Sequence, residues 1–472
     1  MTSSAPSRPT RSPVLRRAGL AITASAATLS LSAVAALPAQ AATADTRAAA
    51  YSPPGYGTPA PGLDHEALQS SLDALRGAGM YGAFSVVRDG SQRWRGATGV
   101  ADLETGRPMR TRYRHRVGSI TKTFTSVAVL QQVARGRVDL DAPVGRYLPD
   151  LVPGEQGRRV TVRMLLNHTS GIADFILSAF PGILENPGET LDKNRFRHID
   201  DEELVRLGLS APPAAERGTF SYSNTNYIIA GLLLERVTGQ GAEAYITRHV
   251  IREAGLRHTY FPRSPYIRGP HARMYESWFG FIDPPRDYSV YDMSWAGTAG
   301  ALVSTMDDLN RFYRQLLGGE LLGAAELREM KTTVPAFEPD EPGQEVTMHY
   351  GLGLYTLKMP DGHWYWGHDG GVFGAGAWSL ATEDGGRQVS IGYNLMKYQR
   401  FDEEGDPLPD PVTAALFQYV TGALSGPRAG TASAPAARGP APASGPAPRT
   451  PSPAATPVPL VDALVVLPQL HR

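Results

Sequence analysis

The stretch RVGSITKTF, residues 116–124, decides how the rest of the chain is read. A glycine precedes a serine, and a lysine follows that serine three residues on. The chain holds five lysines among 46 basic residues, so arginine supplies nearly all of its positive charge. One of the five stands a helical turn past Ser119. A serine hydroxyl is a poor nucleophile until a neighbour takes its proton. Side chains at i and i+3 share a helix face, and a lysine buried among apolar neighbours loses its proton more easily and can act as a base. A helix start also sets backbone N–H groups and the positive end of the dipole beside the serine, where they can hold an oxyanion. Ser119 and Lys122 are therefore a candidate nucleophile–base pair. Ser-x-x-Lys alone is a weak motif, although it occurs once in this chain.

Two further stretches could meet it. In FSYSNTNY, residues 220–227, Tyr222 and Asn224 sit just ahead of an apolar helical run, where a loop can present a phenol and an amide to a cleft. A phenol beside an ammonium can relay protons. In WGHDGGVFG, residues 366–374, His368, Asp369, Gly370 and Gly371 fall within a strand-like segment. Glycine inside a strand marks close approach of a ligand or another backbone.

The flanking segments punctuate clearly. HEALQSSLDALRG (65–77) has helical spacing and ends in Gly77. GAFSVVRDGSQRWRGATGVAD (82–102) reads as a hairpin turning at Asp89-Gly90. Residues 119–135 and 226–239 read as helices closed by Gly136 and Gly239, and STMDDLNRFYRQLLGG (304–319) starts with Ser304 and Asp307 at capping-box spacing. HWYWGHDGG, AGAWSLAT and RQVSIGYNL read as strands, and DPVTAALFQYVTGAL (410–424) as a last helix. Strands at both ends with a helical, loop-rich middle predict one sheet built from the two ends of the chain.

The chain has 472 residues, 42% hydrophobic and 19% charged, which is ordinary globular composition. Its formal net charge is zero, so the overall balance points to no nucleic acid and no anionic membrane. There is no cysteine, which excludes disulfides, thiolate catalysis and cysteine metal sites. Arg8, Arg11, Arg16 and Arg17, an uncharged Ala/Leu/Val-rich run at 18–36 and Ala39-Gln40-Ala41 have the layout of a secretory signal peptide, residues 1–41. A secreted protein, free or associated with the cell wall, is expected, and no later segment is apolar enough for a transmembrane span. Residues 42–61 form a lead-in linker, 62–424 a globular domain, 425–459 a Pro/Ala/Gly-rich segment expected to be disordered, and 460–472 an apolar tail.

Taken together, the order and spacing of these motifs resemble the serine penicillin-recognising superfamily, most closely the secreted actinomycete D-alanyl-D-alanine carboxypeptidases and more distantly the class C β-lactamases. RVGSITKTF, DAPVGRYLP, TVRMLLNHTSGI, SWAGTAGALVST, HYGLGLY and GHDGGVFG all fit. The resemblance implies an α/β (α+β) fold: an antiparallel sheet flanked by helices, with a mainly helical subdomain at about 118–288 and the site between. It implies acylation of Ser119, Lys122 as base, Tyr222 as proton relay to the leaving group, and Asn224, His368, Asp369, Gly370 and Gly371 as substrate-binding, with the oxyanion held by the N–H groups of Ser119 and Gly371. It implies no metal and no organic cofactor. The expected substrate is a D-Ala-D-Ala-type peptide, with β-lactams as covalent inhibitors. Trp295 is expected in the core.

Two positions depart from the carboxypeptidase pattern. Asp369 stands where those enzymes have threonine, and Tyr355 where they have arginine after the YGLGL run. Losing a cation and gaining an anion weakens the hold on a terminal carboxylate, unless Lys358 compensates. An esterase or D-amino-acid amidase/peptidase of the same fold is therefore an alternative, and a non-catalytic penicillin-binding module a second.

Overall fold

The computed structural model describes residues 62–337, 345–402 and 406–426. The expected signal peptide, the lead-in linker and the chain from residue 427 onward lie outside the described residues.

Among the described residues the backbone of the fold is a nine-stranded antiparallel sheet. Strands β1 (Gly82–Asp89) and β2 (Gln92–Asp102) form the predicted hairpin, which turns through Gly90 at φ 55°. A two-residue strand, β3 (Arg107–Pro108), extends that edge. The chain's second half supplies β4 (Val334–Pro335), β5 (Met348–Tyr350), β6 (Tyr355–Lys358), β7 (Trp364–Val372), β8 (Ala375–Ala381) and β9 (Arg387–Tyr393). Their order across the sheet is β3-β2-β1-β9-β8-β7-β6-β5-β4. Pairing of β1 with β9, from Ala83–Tyr393 to Asp89–Arg387, joins the two ends of the chain as the sequence predicts.

Every residue of β8 is buried, so both faces of the sheet centre need cover. Alternation along β1 assigns the faces. Ala83 and Val87 join a core with α1 (His65–Gly77) and α5 (Pro411–Ser425), through Leu68, Leu72, Val412 and Leu416. Phe84 and Val86 join the larger core beneath α2 (Thr121–Ala134) and α4 (Met306–Leu317), where the Phe124 and Phe312 rings stack at 3.7 Å. Side-chain caps fix several helix starts: Asp64 accepts from Ala67 N, and Asp410 from Val412 N and Thr413 N. The cap of α4 falls one residue later than its sequence predicts. Thr305 accepts from Asp308 N, because Ser304 belongs to a short strand and its hydroxyl meets Thr259 at 2.9 Å.

Among the described residues, most helices fall between β3 and β4. The central one, α3 (Asn224–Thr238), is buried from Thr225 to Leu234 and stops at Gly239, φ 68°. A helix apolar all round must be enclosed by protein, and α3 packs against α2. That packing carries the start of α3 toward the start of α2. No helix of the described residues is long and apolar enough to cross a membrane.

Candidate active site

The strand β7 pairs with β6 only from Trp364 to Gly367. Past that point it runs against a 3-10 turn, Gly118–Ile120, which carries Ser119 into α2. Glycine makes this approach possible. A Cβ on Gly370 would lie 2.0 Å from the Val117 carbonyl oxygen and 2.7 Å from Ser119 N. A Cβ on Gly118, whose φ is +51°, would lie 2.5 Å from Gly371 N. The adjacent glycines after Asp369 thus let strand backbone meet the backbone of the candidate nucleophile.

Lys122 is wholly buried, and its ammonium donates to Ser119 Oγ at 2.9 Å, Asn224 Oδ1 at 2.7 Å and the Ala299 carbonyl at 2.9 Å. Burial pushes its pKa down to about 7, against the opposing charges of Asp174 and Asp369. The Tyr222 ring centroid lies 4.8 Å from the same nitrogen. Tyr222 is buried against His168, ring centroids 4.1 Å apart, and its hydroxyl makes no well-aligned hydrogen bond. Burial pushes that phenol well above its ordinary pKa, while the Ser119 hydroxyl acts in the other direction.

Asn224 opens α3 and is oriented by Asp174, a residue the sequence did not single out. Asp174 Oδ2 accepts from Asn224 N at 2.7 Å and from Nδ2 at 2.8 Å, and Oδ1 accepts from Ile176 N at 2.9 Å. With the amide nitrogen so engaged, Oδ1 is left to face Lys122.

His368 is fully buried. Its Nδ1 donates to the Asp369 carbonyl, so Nε2 accepts from the Tyr350 hydroxyl at 2.8 Å. Burial pushes its pKa down to about 3, and the ring is neutral at ordinary pH. Asp369 is also buried, and it accepts a hydrogen bond from Tyr355. The two departures from the carboxypeptidase pattern are therefore partners of one another. Lys358 pairs instead with Glu345 at 2.7 Å on an exposed surface and does not line the cleft.

The cleft at Ser119 is narrow, about 40 Å³, and is bordered by Asn224 and Gly371. Its wall is aromatic: Phe175, Trp278, Trp295 and Phe373, with Phe373 and Trp295 rings 4.8 Å apart. Trp295 is buried as expected yet also faces this cleft. One cation reaches the wall, Lys397, which lies 3.5 Å from buried Glu276 and 4.7 Å over the Trp278 ring. Trp278, Phe279 and Lys397 all have positive φ, 43°, 60° and 46°. Such conformations persist only where the surroundings enforce them; here Glu276 accepts from Trp278 N and Gly374 N, and Phe279 N donates to the Lys397 carbonyl. Of the residues predicted from sequence, Ser119, Asn224 and Gly371 line the cleft. Lys122 and Tyr222 pack beside Ser119, and His368, Asp369 and Gly370 are not part of the wall. Cavities of about 810 and 490 Å³ elsewhere share no residue with the cleft and contain no serine–lysine pair.

The family model described as Beta-lactamase matches residues 66–408. Esterase EstB of Burkholderia gladioli is 36% identical over 205 residues, 41% of this chain, and the chain spans 52% of that protein's length. Penicillin-binding protein 4 of Amycolatopsis lactamdurans is 28% identical over 373 residues, 74% of this chain and 92% of its own. Among solved structures, a D-stereospecific amidohydrolase from Streptomyces sp. superposes with a TM-score of 0.64 at 36% identity, covering 71% of this chain and 95% of that one. With a matching model over most of its length and the serine–lysine pair in place, the chain belongs to the beta-lactamase family of serine penicillin-recognising hydrolases.

Proposed function

We propose that this hydrolase cleaves amide or ester bonds of D-configured amino-acyl substrates through an acyl-enzyme on Ser119. The observation that supports it most is the 2.9 Å approach of Lys122 Nζ to Ser119 Oγ with the amine desolvated to a pKa of about 7. At neutral pH about half of such amines are neutral and can take the Ser119 proton. Ser119 Oγ then attacks the carbonyl carbon, and the backbone N–H groups of Ser119 and Gly371 hold the oxyanion. The proton that Lys122 took from Ser119 is passed through Tyr222 to the departing nitrogen or oxygen, which leaves Lys122 and Tyr222 neutral, and water releases the acyl group from Ser119 by the reverse relay. Asn224, fixed by Asp174, orients the acyl portion. His368, neutral and capped at both ring nitrogens, takes no proton; it holds Tyr350 and the strand in register.

The aromatic wall favours a bulky apolar acyl group over alanine, and D-configuration is the chemistry named for the Streptomyces relative. The D-Ala-D-Ala carboxypeptidase is the second reading, and Lys397 favours it as the one cation among the described residues that lines the cleft. Either reaction is proposed to take place outside the cytoplasm, on the strength of the basic, apolar and small-residue pattern of residues 1–41.

The test compares D-phenylalanine amide, its L-enantiomer and an N-acyl peptide ending in D-Ala-D-Ala, with Ser119→Ala as control. Faster turnover of the D-amide, lost in the control, is the expected result. Dominant release of D-alanine would give the second reading, and silence on all three would leave a non-catalytic penicillin-binding module.

A further inference from the structure

Away from the cleft, one surface concentrates charge in a chain whose net charge is zero. A groove of about 490 Å³ is walled by seven arginines and two aspartates. Arg88 comes from β1, and Arg93 and Arg95 from β2. Arg311 and Arg314 come from α4, which packs on the same sheet. Arg112 and Arg114 complete the rim from the segment after β3. Sheet and helix thus hold the guanidinium groups on a rigid frame.

Both aspartates are already engaged. Asp307 takes a bidentate pair from Arg95, at 2.8 and 2.9 Å, with Arg93 at 3.6 Å. Asp308 accepts from His258 N at 2.7 Å and the Thr259 hydroxyl at 2.9 Å. Among the described residues, Arg88, Arg112, Arg114 and Arg311 form no ion pair. Burial pushes the Arg88 pKa down, and the charges of Arg314, Arg93 and Arg311 push it further, which records how closely the four cations are crowded. Water-exposed arginines normally spread apart; here the fold holds them together. A second groove, of about 590 Å³, shares Arg114 as a lining residue and adds Arg252, Arg257 and Arg268.

We infer that this groove binds a linear phosphate polymer that carries no bases. Guanidinium forks match phosphate oxygens two at a time, and arginine rather than lysine is used throughout the groove. Two neighbouring arginine-lined grooves that meet at Arg114 suit an extended chain better than a single anion. Single-stranded nucleic acid is held by aromatic stacking as well as charge. Among the described residues the first groove holds no Phe, Tyr or Trp; its one aromatic ring is His258, whose Nδ1 lies 3.4 Å from Arg114 Nη2, and in the second the Tyr260 ring is covered by Arg268 at 4.5 Å and Arg114 at 5.9 Å.

The experiment titrates the full chain with inorganic polyphosphate, with poly(glycerol phosphate) and with single-stranded DNA of matched charge, at low and high salt. The triple variant Arg88→Gln/Arg93→Gln/Arg311→Gln leaves the Arg95–Asp307 pair intact. Arg112→Glu, a single change on the rim, serves if thermal unfolding shows the triple variant to be misfolded. Expected are binding of at least one phosphate polymer, weakening by about tenfold or more in the variants and on addition of salt, and weaker binding of DNA. Preference for one polymer over the other identifies the source of the phosphate. Unchanged affinity in a folded variant, no binding of either polymer at low salt, or tighter binding of DNA would overturn the proposal.

Discussion

Lys122 Nζ lies 2.9 Å from Ser119 Oγ, and its two other N–H directions are taken by Asn224 Oδ1 and the Ala299 carbonyl. The amine is therefore held at once by the 3-10 turn before its own helix, by the first residue of α3 and by a backbone carbonyl, which keeps it turned toward the serine.

That geometry sets the pH dependence. On the proposed mechanism the neutral amine is the base, and burial brings its pKa down to about 7. Acylation is low below that value, rises through it and levels off above, as the proton leaves Lys122. Lys122→Arg keeps the charge at all pH and removes the base, lowering kcat/KM by about 10²- to 10⁴-fold. A pH profile of kcat/KM on an uncharged D-amide measures both.

Asp174 acts on the same amine from a distance. Its negative charge raises the Lys122 pKa against the effect of burial. Asp174→Asn removes that charge, so the rising limb moves to lower pH. It also loses one acceptor shared by Asn224 N and Nδ2, so kcat/KM falls by about tenfold at the plateau. A drop in rate with an unmoved limb would restrict Asp174 to a structural role.

Gly370 cannot carry a side chain without moving the nucleophile. Gly370→Ala sets a methyl group 2.0 Å from the Val117 carbonyl. It should cost about 1–3 kcal/mol in urea unfolding and slow acylation as well. Gly422→Ala is the contrasting case. Its Cβ would meet nothing within 4 Å on the exposed side of α5, so it should stabilise by about 0.5–1 kcal/mol.

Lys397 separates the two substrate readings. Lys397→Met keeps apolar bulk beside Trp278 and removes the cation from the cleft wall. On the leading reading, KM for D-phenylalanine amide changes little. If the carboxylate of a D-Ala-D-Ala peptide is held there, its KM rises by about tenfold or more. Steady-state kinetics on both substrates in one variant distinguishes them.

Local patterns in the sequence carried much of this structure. The β1–β2 hairpin is announced by Asp89-Gly90 between alternating residues, and α3 by an apolar run that Gly239 stops with a left-handed φ. Ser-x-x-Lys is legible because both partners sit in one helical turn. The cleft wall was not. Phe175, Trp278, Phe373 and Lys397 come from four separate segments, and only the pairing of distant strands brings them together. Asp174 escaped notice because its role depends on Asn224, 50 residues away. The departures at Asp369 and Tyr355 were visible singly, but their hydrogen bond was not. Lys358, the lysine nearest in sequence to the missing arginine, is engaged by Glu345, while Lys397 from beyond β9 reaches the cleft instead.

The most direct test of the account is intact-mass spectrometry of the full chain quenched during reaction with benzylpenicillin, followed by peptide mapping. The account predicts a gain of the ligand's mass on the peptide containing Ser119, absent in Ser119→Ala and strongly slowed in Lys122→Arg. An adduct on another residue, or an adduct that survives Ser119→Ala, would contradict it.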